Sequence, residues 1–327
     1  MSKVRVGFIG VGGMAENHLK ALKKLEQAEI AAIFDINAER ARQIADTYGG
    51  ECFESAESLI HSGKADALYV CTPPFARGNI EELAAAKGLH LFAEKPVGLD
   101  LAEARRKSRI IREAGIISSA GYCLRYLDTV QKAKAYMADK SPNLILSYRI
   151  GGTPAVSWWP LMDKSGGQLV EMATHQADLI RFIVGDEYRE VSARYEQRSI
   201  REIRPDATIP DVGVVSFSMR SGAVGTISLT CMSKHMGRGD VEIFGSDFFV
   251  SISGKSLKII DGNGTVNETS AVDFILEEDR AFMNAIQAGR QDLVLCSYED
   301  AVKTLEMTLA ANESAATGQS VAVTAEV

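Results

Sequence analysis

The sequence predicts an α/β protein in which a doubly wound parallel sheet precedes an α+β domain with a largely antiparallel, open-faced sheet. A chain of 327 residues is long for a single core, since domains average about 150 residues. Short apolar runs alternate with helical patterns up to Gly121, and period-two alternation with tight turns dominates after it. These observations divide the chain into residues 1–121 and residues 122–327.

The first part contains five short apolar runs, of which residues 4–9 are rich in β-branched residues, with helical patterns between them. The predicted strands are residues 4–9, 30–34, 67–71, 89–93 and 116–120. The predicted helices are residues 15–25, 38–48, 78–87 and 101–114. Strands that alternate with helices in this way are joined by right-handed crossovers into a parallel sheet, which binds its ligand at the carboxyl ends of its strands.

The second part has one helical pattern over residues 168–184, followed by segments that alternate apolar and polar residues. The predicted strands are residues 190–195, 212–219, 223–232, 240–244, 248–253 and 256–260. Turn sequences such as Arg220-Ser221-Gly222 separate them, which is typical of an antiparallel sheet. Helices over residues 273–288 and 297–316 complete the chain.

The composition excludes several classes of protein. A net charge of −7 argues against a nucleic-acid-binding surface, which needs clustered cations. No segment approaches the roughly 20 consecutive apolar residues that a membrane-spanning helix needs. The five cysteines are an odd number without the paired spacing of a metal site. We therefore expect a reduced, cytoplasmic protein with no metal, no nucleic-acid partner and no membrane partner.

A glycine-rich turn follows the first predicted strand. Gly10-Val11-Gly12-Gly13-Met14-Ala15 matches the G-x-G-x-x-G/A pattern of dinucleotide-binding Rossmann domains. Gly10 permits the tight turn, and Gly12 lets the backbone approach a pyrophosphate. Gly13 and Met14 begin the helix, whose free N–H groups favour phosphate. The turn therefore predicts a dinucleotide site.

Asp35 strengthens this prediction because it ends the second strand, twenty residues after Ala15. An acid at that place accepts hydrogen bonds from the adenosine ribose hydroxyls and repels a 2′-phosphate, so NAD is expected rather than NADP. Arg40 is close enough in sequence to soften that preference, and NADP remains possible. The alternative interpretation of Asp35 is a cap for the helix that starts at Ala38.

Two later motifs stand at strand ends. Thr72-Pro73-Pro74 follows the strand at residues 67–71, and Glu94-Lys95-Pro96 follows the strand at residues 89–93. A lysine at the carboxyl end of a parallel strand points into the ligand crevice. The alternative interpretation of Lys95 is a solvated surface charge.

Taken together, these motifs resemble those of the Gfo/Idh/MocA oxidoreductases, which include glucose–fructose oxidoreductase and inositol dehydrogenases. The resemblance covers essentially the whole chain, and the order and spacing of its motifs make it specific. The motifs are residues 10–15, Asp35, residues 72–74, Glu94-Lys95-Pro96, Gly121-Tyr122 with Arg125, and Gly166-Gly167 followed by Glu171, His175 and Asp178.

The resemblance implies roles for particular residues. Lys95 is expected beside the nicotinamide and the substrate, and Glu94 and the Thr72-Pro73-Pro74 turn are expected to contact the cofactor. Glu171 and His175 are expected to act on the substrate hydroxyl or carbonyl. Family members mostly act on sugars, cyclitols and related polyols.

The residues of the last motif support the same prediction. On one helix, Glu171, His175 and Asp178 lie on the same face. A histidine between two carboxylates is held in one tautomer and tuned towards neutral pH as a proton-transfer group. The alternative is a capping and salt-bridge cluster at a helix start.

The sequence also departs from the family pattern. Glu171 stands where aspartate is commoner, and Arg77 stands where histidine often follows the Thr-Pro-Pro turn. We expect Arg77 to be a solvated arginine at a helix start, with an anion-binding role as the alternative.

Four further residues are expected to bind substrate. Tyr122 and Arg125 lie where the chain leaves the first domain, which predicts a crevice wall, and Asp178 belongs to the helical motif. Trp159, beside Trp158, offers an indole face for a sugar ring, with burial at a domain seam as the alternative.

The predicted reaction is reversible hydride transfer between a substrate carbon and the nicotinamide. His175 is the first choice for exchanging the hydroxyl proton, and Glu171 orients or assists it. Lys95 hydrogen-bonds the reacting oxygen, and the alternative is that Lys95 holds or shares the proton. The alternatives are a non-catalytic dinucleotide-sensing protein, and an enzyme whose tightly held cofactor cycles through a redox-neutral reaction. Retention of both Lys95 and His175 favours the enzyme.

The second sheet is expected to mediate assembly. Thr226, Ser228 and Thr230 alternate with apolar residues and leave a semi-polar face that must be covered. A homodimer or homotetramer formed by sheet-to-sheet packing is therefore predicted.

Overall fold

The computed structural model describes residues 3–324, and its first part is a six-stranded parallel sheet in the order β3-β2-β1-β4-β5-β6. The strands are β1 Val4–Ile9, β2 Ala28–Phe34, β3 Glu51–Cys52, β4 Ala67–Val70, β5 His90–Ala93 and β6 Ser118–Ala120. The helices are α1 Gly13–Leu22, α2 Ala38–Tyr48, α3 Ala56–His61, α4 Ile80–Ala86 and α5 Leu101–Glu113. The strand order reverses between β1 and β4, so a ligand crevice opens at their carboxyl ends.

Both faces of this sheet are covered, which explains its continuous apolar strands. Phe8, Tyr69 and Phe92 stand side by side on β1, β4 and β5, with ring centroids 4.9 Å and 4.5 Å apart. They belong to the core on one face. Leu68 and Val70 alternate with them and belong to the core on the other face.

The second part is built on a nine-stranded sheet in the order β14-β13-β12-β11-β7-β10-β9-β8-β15. Its pairs are antiparallel except for β7 with β10. The strands are β7 Leu144–Ile150, β8 Tyr188–Glu196, β9 Val212–Met219, β10 Val224–Thr230, β11 Asp240–Phe244, β12 Phe248–Ser253, β13 Ser256–Asp261, β14 Gly264–Thr269 and β15 Val321–Ala322. The helices are α6 Asp128–Met137, α7 Met162–Ser165, α8 Gly167–Glu171, α9 Thr174–Val184, α10 Ile200–Ile203, α11 Phe274–Ala288 and α12 Tyr298–Thr317.

The two carboxyl-terminal helices join the two parts. Phe282 of α11 packs in the same core as Phe8, and Leu305 of α12 packs in the core of the other face of the first sheet. Met307 of α12 belongs to the core of the second sheet. The division of the chain at residue 121 stays a prediction, because these helices contribute to the cores on both sides of it.

The predicted fold class is confirmed, but several elements were missed. The central strand β7 escaped because its covered face carries Ser147 and Arg149, which break the apolar alternation. The prediction of one helix over residues 168–184 is wrong. The Ala173 N–H bonds to the carbonyl of Gln168, five residues back, so the helical register breaks between α8 and α9. No helix among residues 3–324 is long and apolar enough to span a bilayer.

Candidate active site

A cavity of about 470 Å³ lies at the carboxyl ends of the central strands of the first sheet. Every residue predicted to bind the cofactor lines it, and so does the predicted catalytic residue Glu171. These lining residues are Gly10, Gly12, Gly13, Met14, Asp35, Thr72, Pro73, Pro74, Glu94, Lys95 and Glu171. The cavity therefore brings together motifs that are spread from Gly10 to Glu171 along the chain.

The glycine-rich turn is shaped as the sequence predicts. Gly10 has a φ of +83°, and a Cβ there would lie 2.9 Å from the Thr72 side chain. A Cβ on Gly12 or Gly13 would meet no atom within 4 Å, because both border open space. No side chain caps α1, which begins at Gly13, so its first N–H groups are free for a phosphate.

The carboxylate of Asp35 lies across this turn. Its Oδ2 accepts a hydrogen bond from the Val11 N–H at 2.8 Å, and its Oδ1 accepts one from the Asn37 N–H at 2.8 Å. Helix α2 is capped by Asn37, so the interpretation of Asp35 as the helix cap is wrong. Arg40 is held by the Val11 carbonyl at 3.0 Å and by Glu16 at 2.8 Å.

Lys95 and Glu171 form a pair in the cavity. Lys95 Nζ donates to Glu171 Oε1 at 2.9 Å and to the Glu171 carbonyl at 2.7 Å. The Trp159 indole N–H donates to Glu171 Oε2 at 2.7 Å. The Lys95 side chain is only 16% exposed, so its interpretation as a solvated surface charge is wrong.

Behind Lys95, Glu94 ends a chain of buried hydrogen bonds that the sequence analysis missed. Glu94 Oε2 accepts the Lys95 backbone N–H at 3.0 Å, and Glu94 Oε1 lies 2.9 Å from His18 Nε2. His18 Nδ1 lies 2.8 Å from Asp279, which also accepts the Tyr69 hydroxyl at 3.0 Å. A histidine on the buried, otherwise apolar face of α1 was the sequence signal.

The surroundings of His18 make it a cation. Burial lowers the pKa of its imidazole, but the charges and hydrogen bonds of Asp279 and Glu94 outweigh burial and raise the pKa well above its usual value. The imidazolium offsets the negative charge of the two carboxylates.

His175 stands in the opposite environment. It lies in the first turn of α9, its Nδ1 is buried, and no hydrogen-bond partner for that atom exists among residues 3–324. Burial, followed by the charges of Lys95 and Arg149, lowers its pKa to about 3. The expectation that carboxylates tune His175 towards neutral pH is wrong, because Glu171 bonds Lys95 and Trp159 instead.

Arg125 and Asp178 bind each other. Arg125 Nε and Nη2 donate to the two Asp178 oxygens at 2.8 and 2.6 Å, and both residues are almost fully buried. Tyr122 is also buried, with its hydroxyl 2.7 Å from Thr174 Oγ1. None of these three residues lines the cavity.

The tryptophan pair is split between two environments. Trp159 is fully buried and does not line the cavity, whereas Trp158 does. Substrate contacts by Tyr122, Arg125, Trp159 and Asp178 stay predictions, and this geometry gives them no direct support.

Arg77 is a further correction. The structure buries it, with 2% of its surface exposed, so the expectation of a solvated arginine is wrong. Its Nη2 donates to the Glu94 carbonyl, and its Nη1 lies 3.9 Å from the buried Glu81 carboxylate. The Glu81 carboxylate, which also binds Lys107, offsets the cost of burying the Arg77 guanidinium.

Comparisons with known proteins agree with this geometry. An oxidoreductase family model with an NAD-binding Rossmann fold, GFO_IDH_MocA, matches residues 4–122, and the GFO/IDH/MocA C-terminal domain model matches residues 134–249. The two models together match more than half of the chain, which belongs to the GFO/IDH/MocA oxidoreductase family. The predicted resemblance, oxidoreductase class and NAD-binding fold are confirmed.

Individual relatives cover nearly the full length. The myo-inositol 2-dehydrogenase of Thermotoga maritima is 26% identical and aligns over 95% of this chain and 96% of its own. The scyllo-inositol 2-dehydrogenase (NAD(+)) of Bacillus subtilis is 24% identical, over 98% and 96%. The structure of the WlbA dehydrogenase from Bordetella pertussis, in complex with NADH and UDP-GlcNAcA, superposes with a TM-score of 0.85 at 23% identity, covering 98% of each chain.

Proposed function

We propose that this member of the GFO/IDH/MocA family transfers a hydride between NAD and a hydroxyl-bearing carbon of a sugar, cyclitol or related polyol. The observation that carries the proposal is the Lys95–Glu171 pair, which lies in the same cavity as the glycine-rich turn and Asp35. A protein that only senses the dinucleotide has no need of such a pair. The names of the inositol dehydrogenase relatives support the polyol class.

The residues present fit the dinucleotide. The open space beside Gly12 and Gly13 and the uncapped start of α1 suit a pyrophosphate. We assign the Asp35 carboxylate, which lies across the turn, to the adenosine ribose hydroxyls, since a carboxylate there repels a 2′-phosphate. When bound, the nicotinamide supplies the acceptor or donor of the hydride.

We assign the reacting oxygen of the substrate to Lys95 Nζ. Its hydrogen bond to Glu171 Oε1 fixes the ammonium in the cavity, and the bond from Trp159 to Oε2 fixes the carboxylate in turn. Lys95 therefore hydrogen-bonds the substrate oxygen, and the proton moves between that oxygen and the Lys95–Glu171 pair. Positioned donors of this kind stabilise charge that develops on oxygen.

His175 takes a different role from the one the sequence suggested. With a pKa of about 3, its imidazole is uncharged at neutral pH and is a weak base. We propose that it hydrogen-bonds the substrate as a neutral ring and that Lys95, rather than His175, moves the proton.

A substrate screen tests the function. Purified protein with NAD is offered sugars, inositols and related polyols, and the absorbance of NADH is followed. Reduction is expected with at least one compound and is expected to be lost in Lys95→Met. Binding of nucleotide without turnover of any hydroxyl or carbonyl compound in either direction would overturn the proposal. If nucleotide co-purifies with the protein and a substrate is converted without net formation of NADH, the enzyme instead runs a redox-neutral cycle.

We also propose that copies of the chain assemble through the open face of the second sheet. Val214 and Val224 are 49% and 52% exposed there, beside the half-buried Thr226, Ser228 and Thr230. A semi-polar sheet face with exposed valines is stabilised when a partner covers it. Light scattering is expected to show a dimer or tetramer that Val214→Lys with Val224→Lys converts to smaller species; a wild-type monomer would contradict assembly.

The remaining partner and compartment assignments follow the sequence. The net charge of −7 supports the absence of a nucleic-acid partner. A cytoplasmic location and the absence of a membrane partner stay predictions.

A further inference from the structure

Arg149 is a cation on the covered face of the second sheet. It is the sixth residue of β7 and pairs with Leu229 of β10, which belongs to the buried core under the helices. Ile145 and Ser147 share that face with it and are buried. Arg149 therefore stands at the carboxyl end of a central strand, on the side where α9 and His175 pack.

Arg149 is partly buried, and its guanidinium lacks the close carboxylate partners that the buried Arg125 and Arg181 have. Arg125 and Arg181 each bind carboxylates at 2.6–2.8 Å. Arg149 has no ion pair within residues 3–324, and its only hydrogen bond there reaches the Ile150 carbonyl at 3.5 Å. Burial lowers its pKa, as expected for a partly desolvated cation that lacks a close counter-charge.

The charges around Arg149 leave the substrate end of the site positive. Its charge acts on His175 and on Glu171. Glu171 is already bonded to Lys95, so two cations face one carboxylate. Nearby Asp178 is held by Arg125. The amino-terminal end of the eleven-residue α9, beside His175, adds a partial positive charge.

We propose that Arg149 binds an anionic group of the substrate, so that the preferred substrate is an acidic sugar or polyol, a carboxylate or a phosphate ester, rather than a neutral one. This proposal rests on the dehydrogenase function proposed above. The planar guanidinium offers two parallel donors to the oxygens of such a group, and it carries the charge that the site does not balance. Lys95 holds the reacting oxygen at the same time.

The anion also affects His175. Because the charge of Arg149 contributes to the low pKa of His175, a bound anion offsets that contribution and raises the pKa of the imidazole. The substrate itself then makes the histidine a better hydrogen-bond acceptor at the moment of reaction.

The first experiment compares matched pairs of compounds. Wild-type protein is assayed with glucose, gluconate, glucuronate and glucose 6-phosphate, and with myo-inositol and its monophosphate. We expect kcat/KM to be at least tenfold higher for the anionic member of a productive pair, and the preference for carboxylate or phosphate identifies the source of the anion. Equal or better use of the neutral members would overturn the proposal while leaving the dehydrogenase function intact.

The second experiment uses substitutions of Arg149. Loss of a charge-assisted contact is worth about 1.5–3 kcal/mol, so Arg149→Met is expected to lower the anionic-to-neutral ratio of kcat/KM by roughly tenfold to a hundredfold. Arg149→Lys keeps the charge and is expected to restore part of that ratio. Arg109→Met removes an exposed arginine of α5 and is the matched control. An unchanged ratio in Arg149→Met would overturn the proposal.

Calorimetry separates this proposal from the proposed function. Gluconate or glucose 6-phosphate is titrated into NADH-loaded protein, with wild type and Arg149→Met compared at two salt concentrations. Salt-sensitive binding that Arg149→Met abolishes supports the anion site even if no compound is turned over. Absence of anion binding to the wild type, or binding that Arg149→Met does not weaken, would overturn it.

Discussion

Two histidines lie near Lys95, His18 through its contact with Glu94 and His175 within reach of the Lys95 charge, and their environments give them opposite charge states. His18 is packed between Asp279 and Glu94, and its pKa is raised well above the usual value. His175 has cations rather than carboxylates as its neighbours, and its pKa falls to about 3. Burial alone lowers the pKa of an imidazole, so the partners decide the direction of the net shift.

The surroundings of His18 and of His175 meet at Lys95. Lys95 belongs to both regions, since its backbone N–H donates to Glu94 and its Nζ donates to Glu171. The hydrogen bonds of His18 with Asp279 and Glu94 fix the strand end that carries Lys95, and His18 is a cation there whether or not a substrate is bound. The imidazole of His175, by contrast, is uncharged at neutral pH although the cations Lys95 and Arg149 act on it.

The two histidines also differ in how they link stability to pH. The raised pKa of His18 contributes stability that is fully present below about pH 6.5, the unfolded value, and is lost as pH rises through the folded value. The lowered pKa of His175 acts in the other direction. Its unfavourable contribution is absent above about pH 6.5 and grows as pH falls towards 3.

The largest expected effect is on the His18 side. His18→Gln removes the imidazolium and leaves Asp279 and Glu94 buried without it, and breaking a buried pair in this way costs about 3–5 kcal/mol of unfolding free energy. Urea unfolding at pH 6 measures it, and His61→Gln, at an exposed histidine of α3, is the control. A loss no larger than that of the control would mean that the carboxylates do not depend on His18.

Lys95→Met tests the residue that joins the two regions. The stem keeps most of its volume while the charge is removed, so kcat is expected to fall by roughly two orders of magnitude or more. Fluorescence titration is expected to show that nucleotide still binds. Lys23→Met, at an exposed lysine after α1, should retain wild-type kcat. Near-normal turnover in Lys95→Met would remove Lys95 from the chemistry.

Asp35→Ser should change the nucleotide end of the cavity and leave the His175 end unaffected. Loss of a charge-assisted bond is worth about 1.5–3 kcal/mol, so the NAD:NADP ratio of kcat/KM is expected to shift at least tenfold towards NADP. The KM of the sugar or polyol substrate should not change. Glu39→Gln removes a nearby exposed acid and serves as the control. If the two variants give the same ratio, Asp35 does not contact the ribose.

The smallest effect is expected at His175. A neutral hydrogen bond contributes about 1 kcal/mol, so His175→Gln should lower kcat/KM by roughly fivefold. Because kcat/KM reports the free enzyme, where the pKa is about 3, its profile between pH 5 and pH 8 should keep its shape. A loss of about 10²–10⁴ with an altered profile would instead make His175 the proton carrier and return Lys95 to a supporting role.

The sequence by itself determined the features that depend on neighbouring residues. The glycine-rich turn, Asp35 and the Glu94-Lys95-Pro96 motif each follow a strand directly, and parallel strands bring their carboxyl ends to one edge. Local pattern therefore sufficed to predict five of the six strands of the first sheet, the cofactor class and the lysine of the cavity. Local pattern did not predict the break in the helix at Met172 and Ala173. It also did not predict β7, whose covered face carries the polar Ser147 and Arg149.

Only the tertiary structure decided which side chains pair and which are desolvated. Glu171 bonds Lys95 rather than His175, 76 residues from its partner, and His18 meets Asp279 across 261 residues. Sequence spacing carries no information about contacts at such separations. Burial and partner charge, which set the pKa of both histidines and leave Arg149 without a carboxylate, arise only when distant elements pack together.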